Sequence, residues 1–253
     1  MAKFARAVTD WAWVEAFCTI RPDRVGVAPR RIPNLGLVCI NTPLLEGALR
    51  HMWSLSDTRI CADGAANLLR RSCSDLVPDI VIGDFDSAAP DALDYYRSRG
   101  AEIRDLSHDQ DTTDLEKALR AATEKGCQKI VVSGQFAGVE GRLDHFFGIV
   151  NTLRKHAELP IAVVGDDSFM LLLKPGEHNV LIPGYSLMPH CGLVPIGSPC
   201  SRISTRGLRY DMTDVSMEFG GLVSVCNRAD PSAKGHVWVD TSDYVLWMCT
   251  IPK

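Results

Sequence analysis

The 253-residue chain has no apolar run approaching the roughly 18 to 20 residues that a helical bilayer span requires. Its longest apolar stretches, such as Leu35 to Ile40 and Phe169 to Leu173, are strand-sized, which excludes a helical membrane protein. It has no surplus of positive charge either. Its 27 Lys and Arg stand against 31 Asp and Glu, with the signs interleaved, so no basic stripe offers itself to a phosphate backbone and nucleic acid is not an expected partner. Nor is there a C-x-x-C motif: nine cysteines run from Cys18 to Cys249, none closer together than Cys191 and Cys200. That spacing excludes a zinc ribbon or a redox dithiol and predicts buried, reduced thiols in a cytoplasmic protein. Internal repeats and low-complexity tracts are missing too. What is present, 46% hydrophobic and 23% charged residues, describes a folded globular protein long enough for one large domain or two modest ones. The first 34 residues read as an N-terminal extension. Met1 to Arg31 is mildly basic and carries Trp11, Trp13 and Phe17, but Asp10, Glu15 and Asp23 interrupt it and it holds no signal-peptide core.

From Leu35 the pattern becomes regular. Strand candidates at Leu35 to Ile40, Arg59 to Ala62, Ile80 to Ile82, Lys129 to Val132 and Ile161 to Val164 are short, apolar and often β-branched, as strands buried on both faces are. Helical periods lie between them. Leu115, Ala118, Leu119 and Ala122 share one face ahead of Gly126, and Leu143, Phe146, Phe147, Val150 and Leu153 share another. Ser87 and Pro90 open a third helix through Tyr95 and Tyr96. The alternation predicts an α/β domain over 35–174 with a mostly parallel, helix-flanked, Rossmann-like sheet. After Lys174 the helical period stops. Short β-like runs punctuated by Gly, Pro, Asn and Asp predict an all-β sandwich domain over 175–253.

In a parallel sheet, ligands bind beyond the carboxyl ends of the strands. In this sequence those positions are acidic: Asp63 after one strand, Asp84-Phe85-Asp86 after the next, and Asp109-Gln110-Asp111-Thr112-Thr113-Asp114 before a helix. From Asp79 to Asp114 ten acidic residues face three basic ones. Crowded carboxylates repel unless a cation sits among them, and a hard divalent ion such as Mg²⁺ takes oxygen ligands from carboxylates and substrate phosphates. An extended D-x-D puts Asp84 and Asp86 on one side of the backbone. Within Asp109 to Asp114, one carboxylate caps the helix while another holds metal. Ser133 to Arg142 is glycine-rich ahead of a helix and can bring backbone N–H groups and Arg142 to a phosphate, although it lacks both the Walker lysine and G-x-G-x-x-G. His145, beside Phe146, reads as a packing residue.

The segments C-A-D-G-A-A-N (Cys61 to Asn67), P-D-I-V-I-G-D-F-D-S (Pro78 to Ser87), D-Q-D-T-T-D (Asp109 to Asp114), G-R-L-D-H (Gly141 to His145) and L-V-S-V-C-N (Leu222 to Asn227) closely resemble thiamine pyrophosphokinases, in the family's order from Leu35 onward. C-G-L-V-P-I-G (Cys191 to Gly197) and Leu246-Trp247-Met248 resemble the animal form. The resemblance implies an enzyme that moves the terminal diphosphate of ATP onto the hydroxyl of thiamine, giving thiamine diphosphate and AMP. It implies a homodimer whose active site is shared between subunits. By this matching, Asp84, Asp86 and Asp114 hold Mg²⁺, with Asp63 close by, and Asn67 and Arg142 lie around the nucleotide. Gln110 and Asp144 lie near thiamine, joined by Tyr210, Ser224 and Asn227 of the β half. Asp84, Asp86, Asp111 and Asp114 form the catalytic set, with one of Asp109, Asp111 and Asp114 accepting the hydroxyl proton.

Three departures stand out against the family pattern. Ala65 replaces a glycine, Tyr210 replaces a tryptophan, and Val139-Glu140 is an insertion in the glycine-rich loop. Two other readings compete. One is a phosphatase with Asp84 as nucleophile, for which no downstream lysine is evident. The other is a non-catalytic binder of thiamine or nucleotide, prompted by the three departures.

Overall fold

A computed structural model of the chain describes residues 8–18, 31–43, 46–134, 142–165 and 167–251. In chain order the strands are β1 (Val8–Asp10), β2 (Leu35–Cys39), β3 (Thr58–Ala62), β4 (Ile80–Gly83), β5 (Glu102–Asp105), β6 (Lys129–Ser133), β7 (Ile161–Val164), β8 (Ser168–Leu173), β9 (Gly176–Leu181), β10 (His190–Pro195), β11 (Cys200–Arg206), β12 (Val215–Met217), β13 (Ser224–Arg228), β14 (His236–Thr241) and β15 (Val245–Thr250). The helices are α1 (Glu15–Cys18), α2 (Glu46–Leu55), α3 (Ala65–Ser72), α4 (Pro90–Ser98), α5 (Asp114–Glu124) and α6 (Leu143–Lys155). The chain forms two compact units, Ile20–Asp166 and the combination of Met1–Thr19 with Asp167–Lys253. Among the described residues, no helix is long and apolar enough to cross a membrane.

In the α/β unit every strand pairing is parallel: β2 with β3 and β6, β3 with β4, β4 with β5, and β6 with β7. The order is therefore β7-β6-β2-β3-β4-β5. β2, β4 and β7 are buried along their whole length, as their unbroken apolar sequences require. The chain leaves the edge strand β5, and α5 then lies across β2, β3 and β4 on its way to β6. Parallel strands bring all their carboxyl ends, and the starts of the helices that follow, to one rim. That crossover is what carries the start of α5 to the ends of β3 and β4.

Capping fixes where α5 begins. The hydroxyl of Thr113 accepts the N–H of Glu116 at 3.2 Å. The cap is thus a threonine and not one of the neighbouring aspartates, which spares the Asp114 carboxylate the capping role at the first helical position. α6 departs from its sequence pattern. Ile149, Val150 and Leu153 are buried, but Leu143 and Phe147 are 74% and 66% exposed, and His145 is exposed rather than packed. Only the second half of that apolar stripe is covered within the unit.

The second unit contains two sheets. One has the order β1-β9-β14-β11-β12, antiparallel except for β1 alongside β9, and the other the order β13-β10-β15-β8. β14 alternates buried and open positions, the mark of a sheet covered on one face. β8 belongs here because it pairs along its length with β15, so this unit starts at Asp167, ahead of the boundary read after Lys174.

The N-terminal segment is not a free extension. β1 adds an edge strand to β9, and Trp11, Val14, Phe17 and Cys18 are buried. The Trp11 indole N–H donates to Nδ1 of His178 at 3.2 Å, while Nε2 of His178 meets the Lys174 carbonyl at 2.7 Å. The imidazole is therefore buried in its neutral form, and burial lowers its pKa. Trp11→Ala deletes a buried ring and orphans a ring nitrogen, so we expect a loss of about 3 kcal/mol in urea unfolding of this unit. A change below about 0.5 kcal/mol would show that the segment is not part of its core.

Candidate active site

Three carboxylates meet on the rim. Asp63 follows β3 with φ +45°; its N–H donates to the Ile82 carbonyl at 2.8 Å, and its Oδ1 accepts the N–H of Ala88 at 3.1 Å. Asp84 follows β4, and Asp114 opens α5. One oxygen from each of Asp63, Asp84 and Asp114 lies within 4.8 Å of the other two. Gly83 permits this approach: a Cβ there would stand 2.8 Å from Cβ of Asp63 and 3.3 Å from Oδ1 of Asp114.

Asp86 does not join the group. Phe85 has φ +60°, an uncommon conformation for an aromatic residue, so the Asp84–Asp86 stretch turns instead of running extended as the D-x-D pattern implied. The N–H of Asp86 folds back onto Oδ1 of Asp84 at 3.2 Å, and Oδ1 of Asp86 accepts the Ser87 hydroxyl at 2.8 Å. Among the described residues, the carboxylates that converge within this distance are Asp63, Asp84 and Asp114, with Asp86 near enough for its charge to act on Asp63.

A lysine that the sequence reading missed lies behind them. Lys117, 1% exposed, donates to Oδ1 of Asp114 at 3.1 Å and stands 3.7 Å from Oδ2 of Asp84. The available signal was its i+3 spacing from Asp114 on a helix crossing an acidic rim. Burial pushes the carboxyl of Asp63 above the usual aspartate range, and the charges of Asp114 and Asp86 add to this, against the N–H groups of Gly64 and Ala88, which lower it. Three converging hard oxygen donors with a disfavoured anion among them fit a small divalent cation.

The other sequence-nominated residues have varied places. Asn67 is engaged locally: its amide donates to the Ser87 carbonyl at 2.8 Å and accepts the Ala89 N–H at 2.9 Å, tying α3 to the loop that carries Asp84. Ala65 is the first residue of α3 and is buried, while the preceding Gly64 makes the close approach, since a Cβ there would meet Asn41 at 2.4 Å. Asp109 accepts from Thr112 and Arg120, which holds its carboxyl below the usual range, the Thr112 bond being the largest cause. Asp111 and Gln110 are exposed, and the Gln110 amide donates to the Ser107 carbonyl at 2.8 Å. Arg142 and Asp144 pair with each other on the surface, which lowers the Asp144 pKa to about 2. Val139 and Glu140 lie outside the described residues.

In the β unit, Asn227 is buried and clamps the backbone of Tyr210. It accepts the Tyr210 N–H at 3.1 Å and donates to the Tyr210 carbonyl at 2.8 Å. Tyr210 is 61% exposed, and Ser224, half-buried, starts the edge strand β13. Of the nine thiols, only that of Cys226 is exposed.

The raised Asp63 pKa makes a stability prediction. A carboxyl whose folded pKa exceeds its unfolded one binds its proton more tightly in the native state, so it costs stability above the folded pKa and the cost fades as pH falls toward the unfolded value. In EDTA, Asp63→Asn is expected to melt higher than wild type at pH 7, with the gain shrinking on acidification. A lower midpoint at pH 7 would mean that the ionised carboxyl is not disfavoured at this buried position.

Comparison with known proteins agrees with this layout. The family model described as thiamin pyrophosphokinase, catalytic domain, matches residues 49–164, and the one described as thiamin pyrophosphokinase, vitamin B1 binding domain, matches residues 177–246. The chain is 38% identical to thiamine pyrophosphokinase 1 of Oryza sativa subsp. japonica over 79% of its own length and 81% of the relative's. It is 34% identical to thiamine pyrophosphokinase 1 of Arabidopsis thaliana over 84% and 82%, and 30% identical to thiamin pyrophosphokinase 1 of Caenorhabditis elegans over 74% and 78%. In fold it is similar to yeast thiamin pyrophosphokinase, with a TM-score of 0.77, 20% identity and coverage of 100% and 94% of the two chains. The Candida albicans enzyme superposes with a TM-score of 0.72 at 24% identity over 86% and 89%. With a catalytic-domain match on the unit that carries the acidic rim and a vitamin-binding match on the β unit, the chain belongs to the thiamin pyrophosphokinase family.

Proposed function

We propose that the rim formed by Asp63, Asp84 and Asp114 binds Mg²⁺ and the ATP phosphates for the family reaction, transfer of diphosphate from ATP to the hydroxyl of thiamine. The observation that carries this is the convergence of the three carboxylates at the ends of β3 and β4 and the start of α5. When bound, the ion supplies charge neutralisation at the phosphoryl oxygens. The chain's own residues supply position. Asp63, Asp84 and Asp114 would hold the ion at the rim. Phe85 and Asn67 hold the loop that aims Asp84, and Arg142 stands on the surface for the nucleotide.

The thiamine hydroxyl oxygen then bonds to the β-phosphorus as the bond from that phosphorus to the bridging oxygen of AMP breaks in line, and AMP leaves with both electrons of that bond. The hydroxyl proton passes to a carboxylate. Asp111 is our choice, because Asp109 is occupied by Thr112 and Arg120 and Asp114 by Lys117. Gln110, Asp144, Tyr210 and Ser224 are proposed for the thiamine side, with Asn227 acting through the Tyr210 backbone that it clamps. The exposed Leu143 and Phe147, with Phe219, Leu222 and Val225 in the β unit, support a homodimer with a shared active site, and the buried reduced thiols support a cytoplasmic setting. Lys117 beside Asp84 supplies the lysine that the phosphatase reading lacked, but the family match favours transfer to thiamine.

The test is AMP and thiamine diphosphate formation from ATP and thiamine. We expect equal amounts of both with Mg²⁺ and neither with EDTA. Asp84→Asn and Asp114→Asn should lose about 10³-fold or more in turnover, and Asp86→Asn distinctly less. Phosphate release independent of thiamine would overturn the reading in favour of hydrolysis, and an Asp86→Asn loss equal to the other two would return Asp86 to the metal set.

A further inference from the structure

Lys117 is a buried charged group with no part in the transfer chemistry proposed above. Its ammonium is sealed from solvent, and among the described residues its ion pairs are with Asp84 and Asp114. A buried lysine persists only where charge and hydrogen bonding compensate its lost hydration. Here the compensation is shared between two of the three rim carboxylates, which are themselves 19% and 29% exposed. The lysine approaches from the protein side, at Oδ1 of Asp114 and Oδ2 of Asp84, while Oδ1 of Asp84 is steadied by the Asp86 N–H and Oδ1 of Asp63 by the Ala88 N–H. Asp63 and Asp114 thus each have one oxygen fixed by an internal donor, while Asp84 has Oδ1 on the Asp86 N–H and Oδ2 facing the ammonium.

We infer that Lys117 is a positioning residue for the cation: it neutralises one of the three rim charges from inside and holds Asp84 and Asp114 together beside Asp63, so that the three converging carboxylates serve a single divalent ion. The inference rests on reading the rim as a metal site. Three carboxylates and one ammonium leave a charge of −2, which one Mg²⁺ balances. The ammonium also occupies the place between Asp84 and Asp114 in which a second ion would otherwise bridge them, as it does in sites with two metals about 4 Å apart. Lys117 does not touch substrate in this scheme, because its nitrogen lies behind the carboxylates.

The experiment compares thermal midpoints of the full-length chain in EDTA and in Mg²⁺ for wild type, Lys117→Met, and Lys117→Met with Asp114→Asn. In EDTA the single variant should melt below wild type, and the second substitution should restore most of the loss by removing the charge that the lysine no longer balances. Mg²⁺ should raise the midpoint of Lys117→Met by about twice the wild-type shift, because the ion there also relieves the repulsion. Turnover of the single variant should fall about 100-fold with the KM for thiamine unchanged, since orientation at the reacting phosphate is lost while thiamine contacts remain. Equal Mg²⁺ shifts in wild type and Lys117→Met, or an EDTA loss that Asp114→Asn does not relieve, would overturn the inference and leave the lysine a packing role. If Lys117→Met does not fold, a folded double variant supports the inference and an unfolded one overturns it. A wild type that Mg²⁺ fails to stabilise overturns the metal reading itself, and this inference with it.

Discussion

Three carboxylates within 4.8 Å of one another repel in the absence of a counter-charge, and much of the α/β unit serves to hold them there. Gly83 leaves room for Asp63 and Asp114 to approach. Left-handed backbone at Asp63 and Phe85 aims two of the carboxylates, at a cost of about 1 kcal/mol or more at each residue. Thr113 takes the capping duty that would otherwise consume Asp114, and Lys117 offsets part of the charge from below. These features oppose maximum stability and together hold the three carboxylates in one place.

The sheet order explains why residues so far apart in sequence share this place. Because α5 crosses β2, β3 and β4 to reach β6, its first turn is delivered to the strand ends that carry Asp63 and Asp84. The β unit is built on other terms. Its first sheet is completed by β1 from the far end of the chain, locked by Trp11 against a neutral His178. Residues that look like vitamin contacts in the sequence divide there into an exposed ring, Tyr210, and a buried amide, Asn227, that fixes the backbone beneath it.

Much of this was legible from residue order. β2, β4, β6 and β7 announce themselves because strands buried on both faces need unbroken apolar runs, and the acidic rim follows from asking what comes after each run. β5 was not legible: Glu102, Arg104 and Asp105 on a partly exposed edge strand leave no apolar run to see. The turn at Phe85 was hidden because no glycine marks it, and for that reason the Asp84–Asp86 stretch read as extended. Lys117 was overlooked because a lysine three residues after an aspartate on a helix ordinarily reads as a solvated surface pair, and only the crossover of α5 buries it. β1 had no local signal at all, since its pairing with β9 spans most of the chain.

The central claim is that Asp63, Asp84 and Asp114 hold one divalent ion. It is tested most directly by a crystal structure of the full chain grown with Mn²⁺ and a non-hydrolysable ATP analogue, with anomalous differences collected at the manganese edge. The account predicts one protein-held anomalous peak about 2.2 Å from an oxygen of each of the three aspartates, with Lys117 behind Asp84 and Asp114. A peak held instead by Asp86, Asp109 or Asp111, or a second ion between Asp84 and Asp114 in place of the lysine nitrogen, would contradict it.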